Sequence, residues 1–213
     1  GDINVCIGPN AAGKSNLVSF FRMLNFMTTG ALQTFIGEQG YADSLLHFGS
    51  STTPIMEAEL TFADEGGDYD KYSFTLAHAS GGKLIFTKEM LYWSGTNRSN
   101  PLQVDLGAGH SESALIQDAE DGGPTSRFIL DLLRKCLVFQ FHDTSSTAKI
   151  RNPGYINDNR YLRGNAGNLA AFLYAMHETK ETRPYYNRIL NHIRSVIPGF
   201  GDFVLEPSAL NTE

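Results

Sequence analysis

The stretch "CIGPNAAGKSNL", residues 6–17, decides how the rest of this chain is read. Gly8-Pro9-Asn10-Ala11-Ala12-Gly13-Lys14-Ser15 fit G-x-x-x-x-G-K-[ST], a loop whose backbone N–H groups turn inward around a chain of phosphates. Gly8 and Gly13 allow backbone angles and a close approach that a side chain would obstruct. Lys14 can place its ammonium on the outer phosphates, and Ser15 offers a hydroxyl to Mg²⁺. Such a loop follows a strand and opens a helix whose N-terminal dipole faces the anion. Ile3, Val5 and Ile7 alternate as in a buried strand, and Leu17, Phe20, Phe21 and Leu24 recur as on one helix face, so both conditions are expected to hold.

Working outward, "YADSLLHFG" at 41–49 predicts a short helix ended by Gly49. The apolar period then changes to two. Met56, Ala58, Leu60 and Phe62 alternate with polar residues, as do Tyr72, Phe74 and Leu76. Leu84 and Phe86 do the same, and Glu89, Leu91 and Trp93 follow less cleanly. The turn-rich "DEGGDYD" and "ASGG" separate these runs, which predicts an antiparallel meander packed on one face. Residues 94–126 are polar and glycine-rich and are expected to form a long surface excursion. A helix through Phe128, Ile129, Leu132 and Leu133 leads to "CLVFQF" at 136–141, short enough for a buried strand. Two amphipathic helices follow, one carrying Leu169, Phe172, Leu173 and Met176, the other Tyr186, Ile189, Leu190, Ile193 and Ile197. Pro184 and Pro198-Gly199 bound the second helix, and "DFVLEP" at 202–207 reads as a returning strand.

The 213 residues carry a net charge of −6 and 41 % hydrophobic residues, ordinary for a domain with its own core. No run approaches the roughly 18 apolar residues of a membrane span, and residues 1–15 lack the order of a signal peptide, so a cytoplasmic protein is expected. Cys6 and Cys136 sit in separate apolar runs and read as buried thiols rather than a disulfide or a metal pair. The acidic balance disfavours bulk attraction to DNA. Arg151, Arg160 and Arg163 form the nearest approach to a basic patch, read on residue type as solvated loop arginines.

Together, "CIGPNAAGKSNLVSFFRML", the meander, "VFQFHDTSS" and "NLAAFLYAMHE" resemble the RecF/SMC-like ABC ATPases, specifically the bacterial ATPases of that group related to the overcoming-lysogenization-defect family. The resemblance runs nearly the length of the chain. It implies an α/β P-loop NTPase of ABC type, with a nucleotide-binding core and β meander over 1–150, a helical subdomain over 151–200 and a return strand over 201–213. The family's loop reads GxNxxGKSNLL, matched here by Asn10 and Asn16. Ala11 stands where many such loops have glycine, a change of one methyl group. The resemblance makes Gly8, Asn10, Ala11, Ala12, Gly13, Lys14, Ser15 and Asn16 the nucleotide contacts, with ATP and Mg²⁺ as ligands. It also implies a Q-loop residue that positions Mg²⁺ and water. Gln140 and His142 both occupy that place and lie on the same side of an extended strand, so alternation does not choose between them. Ser15 and Gln140 are the implied metal ligands.

A signature segment and a Walker B strand ending in Asp-Glu are not evident. "ASGG" at 79–82 lies between two alternating runs and reads as a hairpin turn, "LVFQFHD" is interrupted by Gln140 and His142, and Asp131 sits on the wetter side of a helix. The expectation is therefore an amino-terminal lobe holding half a site. The complete protein would act as an ATP-driven, dimerising switch on DNA or a nuclease, without a membrane partner. Two other function classes share the loop: a non-hydrolysing interaction module, and a small-molecule kinase, which the long meander disfavours.

Overall fold

The alternation that begins at Met56 becomes a four-stranded sheet in the computed structural model, which describes residues 3–10, 12–95, 101–139, 141 and 145–207. Strands β1 (Ile55–Ala63), β2 (Tyr69–Ala79), β3 (Lys83–Ser94) and β4 (Leu102–Gly107) pair antiparallel in sequence order. The fold is thus mixed α and β, with an antiparallel sheet. "ASGG" is the hairpin turn between β2 and β3, as its composition predicts. Gly81 and Gly82 both take positive φ, 78° and 71°, which an L side chain rarely adopts.

Leu60, Tyr72 and Leu91 lie in register across three strands, as do Met56, Leu76 and Phe86. Their shared face is covered by helices α1 (Lys14–Met27), α2 (Leu32–Glu38), α3 (Tyr41–Leu45), α4 (Leu115–Glu120) and α5 (Pro124–Lys135). Met23, Leu24 and Met27 of α1, Phe35 and Ile36 of α2, and Ile129, Leu130 and Leu133 of α5 close the core against Tyr72, Phe74, Leu76 and Phe86. The amide of Ala42 donates to the carbonyl of Gly82 at 2.9 Å, tying α3 to the hairpin turn.

The irregular alternation along β3 has a structural cause. Thr75 faces Lys88 and Leu76 faces Phe86, leaving Thr87 as the extra residue of a β-bulge. The bulge shifts the parity by one, so Leu84 and Phe86 before it and Glu89 and Leu91 after it all point into the core.

The chain divides into two compact units, Gly1–Leu137 and Val138–Glu213. The second contains a 3₁₀ turn, Lys149–Arg151, and helices α6 (Leu169–Glu178) and α7 (Arg183–Val196). Its core is Leu173, Tyr186 and Leu190, flanked by Leu169, Met176, Ile189, Phe200, Phe203 and Leu205. Pro184 sits in the first turn of α7, where its missing N–H has no helical acceptor to lose. Among the described residues, no helix is long and apolar enough to cross a membrane.

Several expectations are corrected. Residues 3–9 form no strand, and Ile3, Val5 and Ile7 are 91 %, 73 % and 91 % exposed. Apolar alternation makes a strand only where a neighbour completes its ladder and another layer covers it. The same holds for the run at 136–141. Cys136 ends α5, no strand follows among the described residues, and Leu137, Phe139 and Phe141 are exposed. Residues 202–207 are not a strand either, although Phe203 and Leu205 turn onto the α6/α7 core while Val204 faces out. The described residues of the polar stretch 94–126 include β4, α4 and the start of α5. Cys6 is exposed and Cys136 half-buried, both as free thiols.

Candidate functional site

The glycine loop leads directly into α1. Gly13 is the helix N-cap in the left-handed region, φ 86°, and its carbonyl accepts from the amides of Asn16 (3.0 Å) and Leu17 (3.2 Å). Ahead of it, the amide of Ala12 donates to the carbonyl of Pro9 at 3.3 Å, closing a tight turn. The Lys14 ammonium reaches back across the loop and donates to the carbonyls of Gly8 and Pro9, both at 2.6 Å. Among the described residues no side chain caps α1, and its first turn holds no acidic residue. Among the described residues, the amides of Gly13, Lys14 and Ser15 have no backbone acceptor, so several N–H groups and the positive end of the dipole meet solvent beside one lysine.

The predicted helical stripe reaches the core from Phe20 onward, and only Leu17 stands outside it. Leu17 is 47 % exposed, Phe20 and Phe21 are half-buried, and full burial begins at Met23 and Leu24. Only the C-terminal half of α1 lies in the core. The half that carries Lys14, Ser15 and Asn16 projects from it, with Ser15 and Asn16 exposed.

Gly8, Asn10, Ala12, Gly13, Lys14, Ser15 and Asn16 are therefore brought together by chain continuity. Ala11, Gln140 and His142 lie outside the described residues. Ser15, uncapped and exposed at the helix start, can offer its hydroxyl to a cation. Among the described residues, no cluster of three His, Cys, Asp or Glu side chains can hold a metal ion.

A second polar centre escaped the sequence reading. Glu89, on β3 just past the bulge, is fully buried. Its carboxylate accepts from the hydroxyls of Tyr72 and Ser113, each at 2.5 Å, and from the Ala114 amide at 2.9 Å. The His110 imidazole Nε2 lies 2.7 Å away. Burial, followed by the negative charge of Glu89, pushes the Tyr72 hydroxyl well above its ordinary pKa. The His110 ring also stacks on Phe86, with centroids 4.9 Å apart. Next to this centre, Glu112 accepts from the amides of Leu32 (2.7 Å) and Gln33 (3.0 Å), capping α2 from 79–80 residues away. The centre fastens residues 110–114 to the sheet and to α2. Its one signal in the sequence is an acidic residue where the β3 alternation breaks.

The chain matches no family model, no curated protein and no solved structure.

Proposed function

We propose that this chain is the ATP-binding lobe of a RecF/SMC-like ABC ATPase, with a P-loop NTPase core, and that the complete protein hydrolyses ATP as a homodimeric switch acting on DNA or a nuclease. The observation that carries this reading is the start of α1: a left-handed Gly13, uncapped amides and a lysine whose ammonium lies across the Gly8 and Pro9 carbonyls. An incoming triphosphate offers Lys14 anionic acceptors, stronger than the two neutral carbonyls it now holds. The free amides and helix dipole receive the same anion. Gly8, Asn10, Ala11, Ala12, Gly13 and Asn16 supply the backbone wrap. Mg²⁺, when bound, neutralises charge between the outer phosphates, and the Ser15 hydroxyl is the group on the described loop suited to hold it. Gln140 and His142 are the two candidates for orienting the attacking water.

Calorimetric titration with MgATP tests this reading. Wild type binds, Lys14→Ala does not, and phosphate release by this chain alone is slow, because the loop without a catalytic carboxylate positions phosphates but does not activate water. Equal binding by both proteins would sink the assignment.

A second reading, the non-hydrolysing interaction module, draws on the same contacts. The two 2.6 Å bonds make Lys14 a staple that holds its own loop as a structural turn. The two readings separate on thermal unfolding. A phosphate-binding lysine at the surface leaves stability within about 0.5 kcal/mol when truncated. A staple lowers it further, and wild type then fails to bind ATP.

A further inference from the structure

We propose that the loop over residues 149–168 in the second unit is a binding surface for single-stranded nucleic acid. This inference stands apart from the nucleotide reading and uses none of its residues. In a chain of net charge −6, this stretch holds Lys149, Arg151, Arg160 and Arg163 against a single acid, Asp158. All four cations are exposed. Among the described residues, only Arg163 is in an ion pair, with Asp158 at 2.9 Å, and that pair is open to solvent.

Two tyrosines stand among these cations. Tyr155 is 65 % exposed and Tyr161 is 73 % exposed, so both rings are open to a ligand. The Arg160 guanidinium lies 5.5 Å from the Tyr161 ring centroid, so one residue offers a stacking face and its neighbour a phosphate-binding fork at the same place.

The loop carries no regular structure apart from the 3₁₀ turn, yet its backbone is tied down by a buried side chain. Asn168 is buried, and its amide nitrogen donates to the carbonyls of Asp158 (2.8 Å) and Tyr161 (2.7 Å), while its oxygen accepts from the Arg163 amide (2.9 Å). One buried side chain thus fixes the backbone on both sides of Arg160 and at Arg163. Ala166 takes a left-handed φ of 56°, an uncommon conformation for a residue with a Cβ. The 3₁₀ turn is packed alongside: a Cβ at Gly167 would sit 3.4 Å from the Cβ of Lys149.

A polyanion with exposed aromatic bases satisfies both halves of this surface. Phosphates neutralise the cations and release counterions, and unstacked bases cover the tyrosine faces. Duplex DNA keeps its bases stacked and out of reach of Tyr155 and Tyr161, and this loop offers no helix or strand to enter a groove. The fixed backbone lowers the ordering cost of binding.

The test is fluorescence anisotropy of the full chain with a labelled oligothymidylate of about 16 nucleotides, the upper site size of one compact module, without ATP. The expected result is saturable binding that weakens with salt and exceeds binding to a duplex of equal length. Arg160→Ala and Arg163→Ala each weaken it and flatten the salt dependence by about 0.7 in logarithmic slope, one phosphate contact. Tyr161→Ala weakens it about 5- to 150-fold, the loss of one stacked base, and Tyr161→Phe retains most of it. Because Arg160 and Tyr161 are exposed, unchanged thermal unfolding verifies that the variants fold. Absence of saturable binding, preference for the duplex, or wild-type affinity in Arg160→Ala and Tyr161→Ala would each overturn the proposal.

Discussion

Both units rest a buried tyrosine on a carboxylate, and the two pairs behave differently because of where the carboxylate lies. In the first unit, Tyr72 and Glu89 are both fully buried, and the carboxylate collects further donors from Ser113, Ala114 and His110. In the second, the Tyr186 ring is buried, but its hydroxyl donates to Asp202, which faces solvent. An exposed carboxylate keeps its hydration whether or not the tyrosine is present. A buried one has surrendered water and depends on every protein donor it holds. The same residue pair is therefore a point of attachment in one unit and the centre of a polar network in the other.

The largest effect expected from breaking this symmetry is at Glu89. Glu89→Ala strips four partners at once and is expected to cost about 3–5 kcal/mol, as when one member of a buried pair is removed. Chemical denaturation measures it. Glu89→Gln keeps the size and one acceptor oxygen but turns an NH₂ group toward donors, so it falls between Ala and wild type. A loss below about 1 kcal/mol in Glu89→Ala would show that the network adds little beyond one ordinary hydrogen bond.

Tyr186→Phe sharpens the comparison from the other side. It keeps the ring against Leu173 and Leu190 and removes only the hydroxyl, so it should cost no more than about 1 kcal/mol. A cost matching that of Glu89→Ala would mean that solvent exposure of Asp202 does not weaken the pair.

The smallest effect is a dependence on alkaline pH. Burial, then the hydrogen bond to Asp202, raises the Tyr186 hydroxyl from its ordinary 10.0 to about 12. A folded-state pKa above the unfolded one favours the protonated form. The contribution is fully present below pH 10, declines as pH rises through the folded value of about 12 and is then lost. In the acid range, Asp202 is held below the usual carboxylate value chiefly by the Tyr186 hydroxyl, so its contribution fades only as pH falls through that lowered value. The difference in phenolate absorbance between wild type and Tyr186→Phe reports the alkaline step. Titration of the Tyr186 component near 10 would show that its hydroxyl is no better protected than one in water.

The elements most legible in the sequence are those whose partners are close in the chain. The "ASGG" turn, the strands it joins, α5, α6 and α7 all follow from local periodicity and turn chemistry. The expectations that failed needed a distant neighbour. Ile3, Val5 and Ile7, and the run ending at Phe141, carry strand-like apolar patterns, yet the described residues offer them no ladder. Residues 102–107 failed in the opposite sense: polar and glycine-rich in context, they pair with β3 because β3 presents an open edge. Of the candidate site, the helix start after Gly13 was legible because G-x-x-x-x-G-K-S is a contiguous string, whereas the strand expected ahead of it does not form. Gln140 and His142, inferred from the family resemblance, lie outside the described residues.

The sequence by itself determined the glycine loop at the head of α1, the meander and its tight turn, and the amphipathic helices, because each rests on backbone angles and periodicities within a few residues. Only the tertiary structure decided that Glu89 is buried. A bulge at Thr87 changes which face of β3 the following residues occupy, and the donors that make a buried carboxylate tolerable come from Tyr72 and from residues 110–114, remote in sequence. It likewise decided that the backbone at Asp158, Tyr161 and Arg163 is tied to one side chain, because Asn168 makes its three hydrogen bonds only once the loop has closed around it.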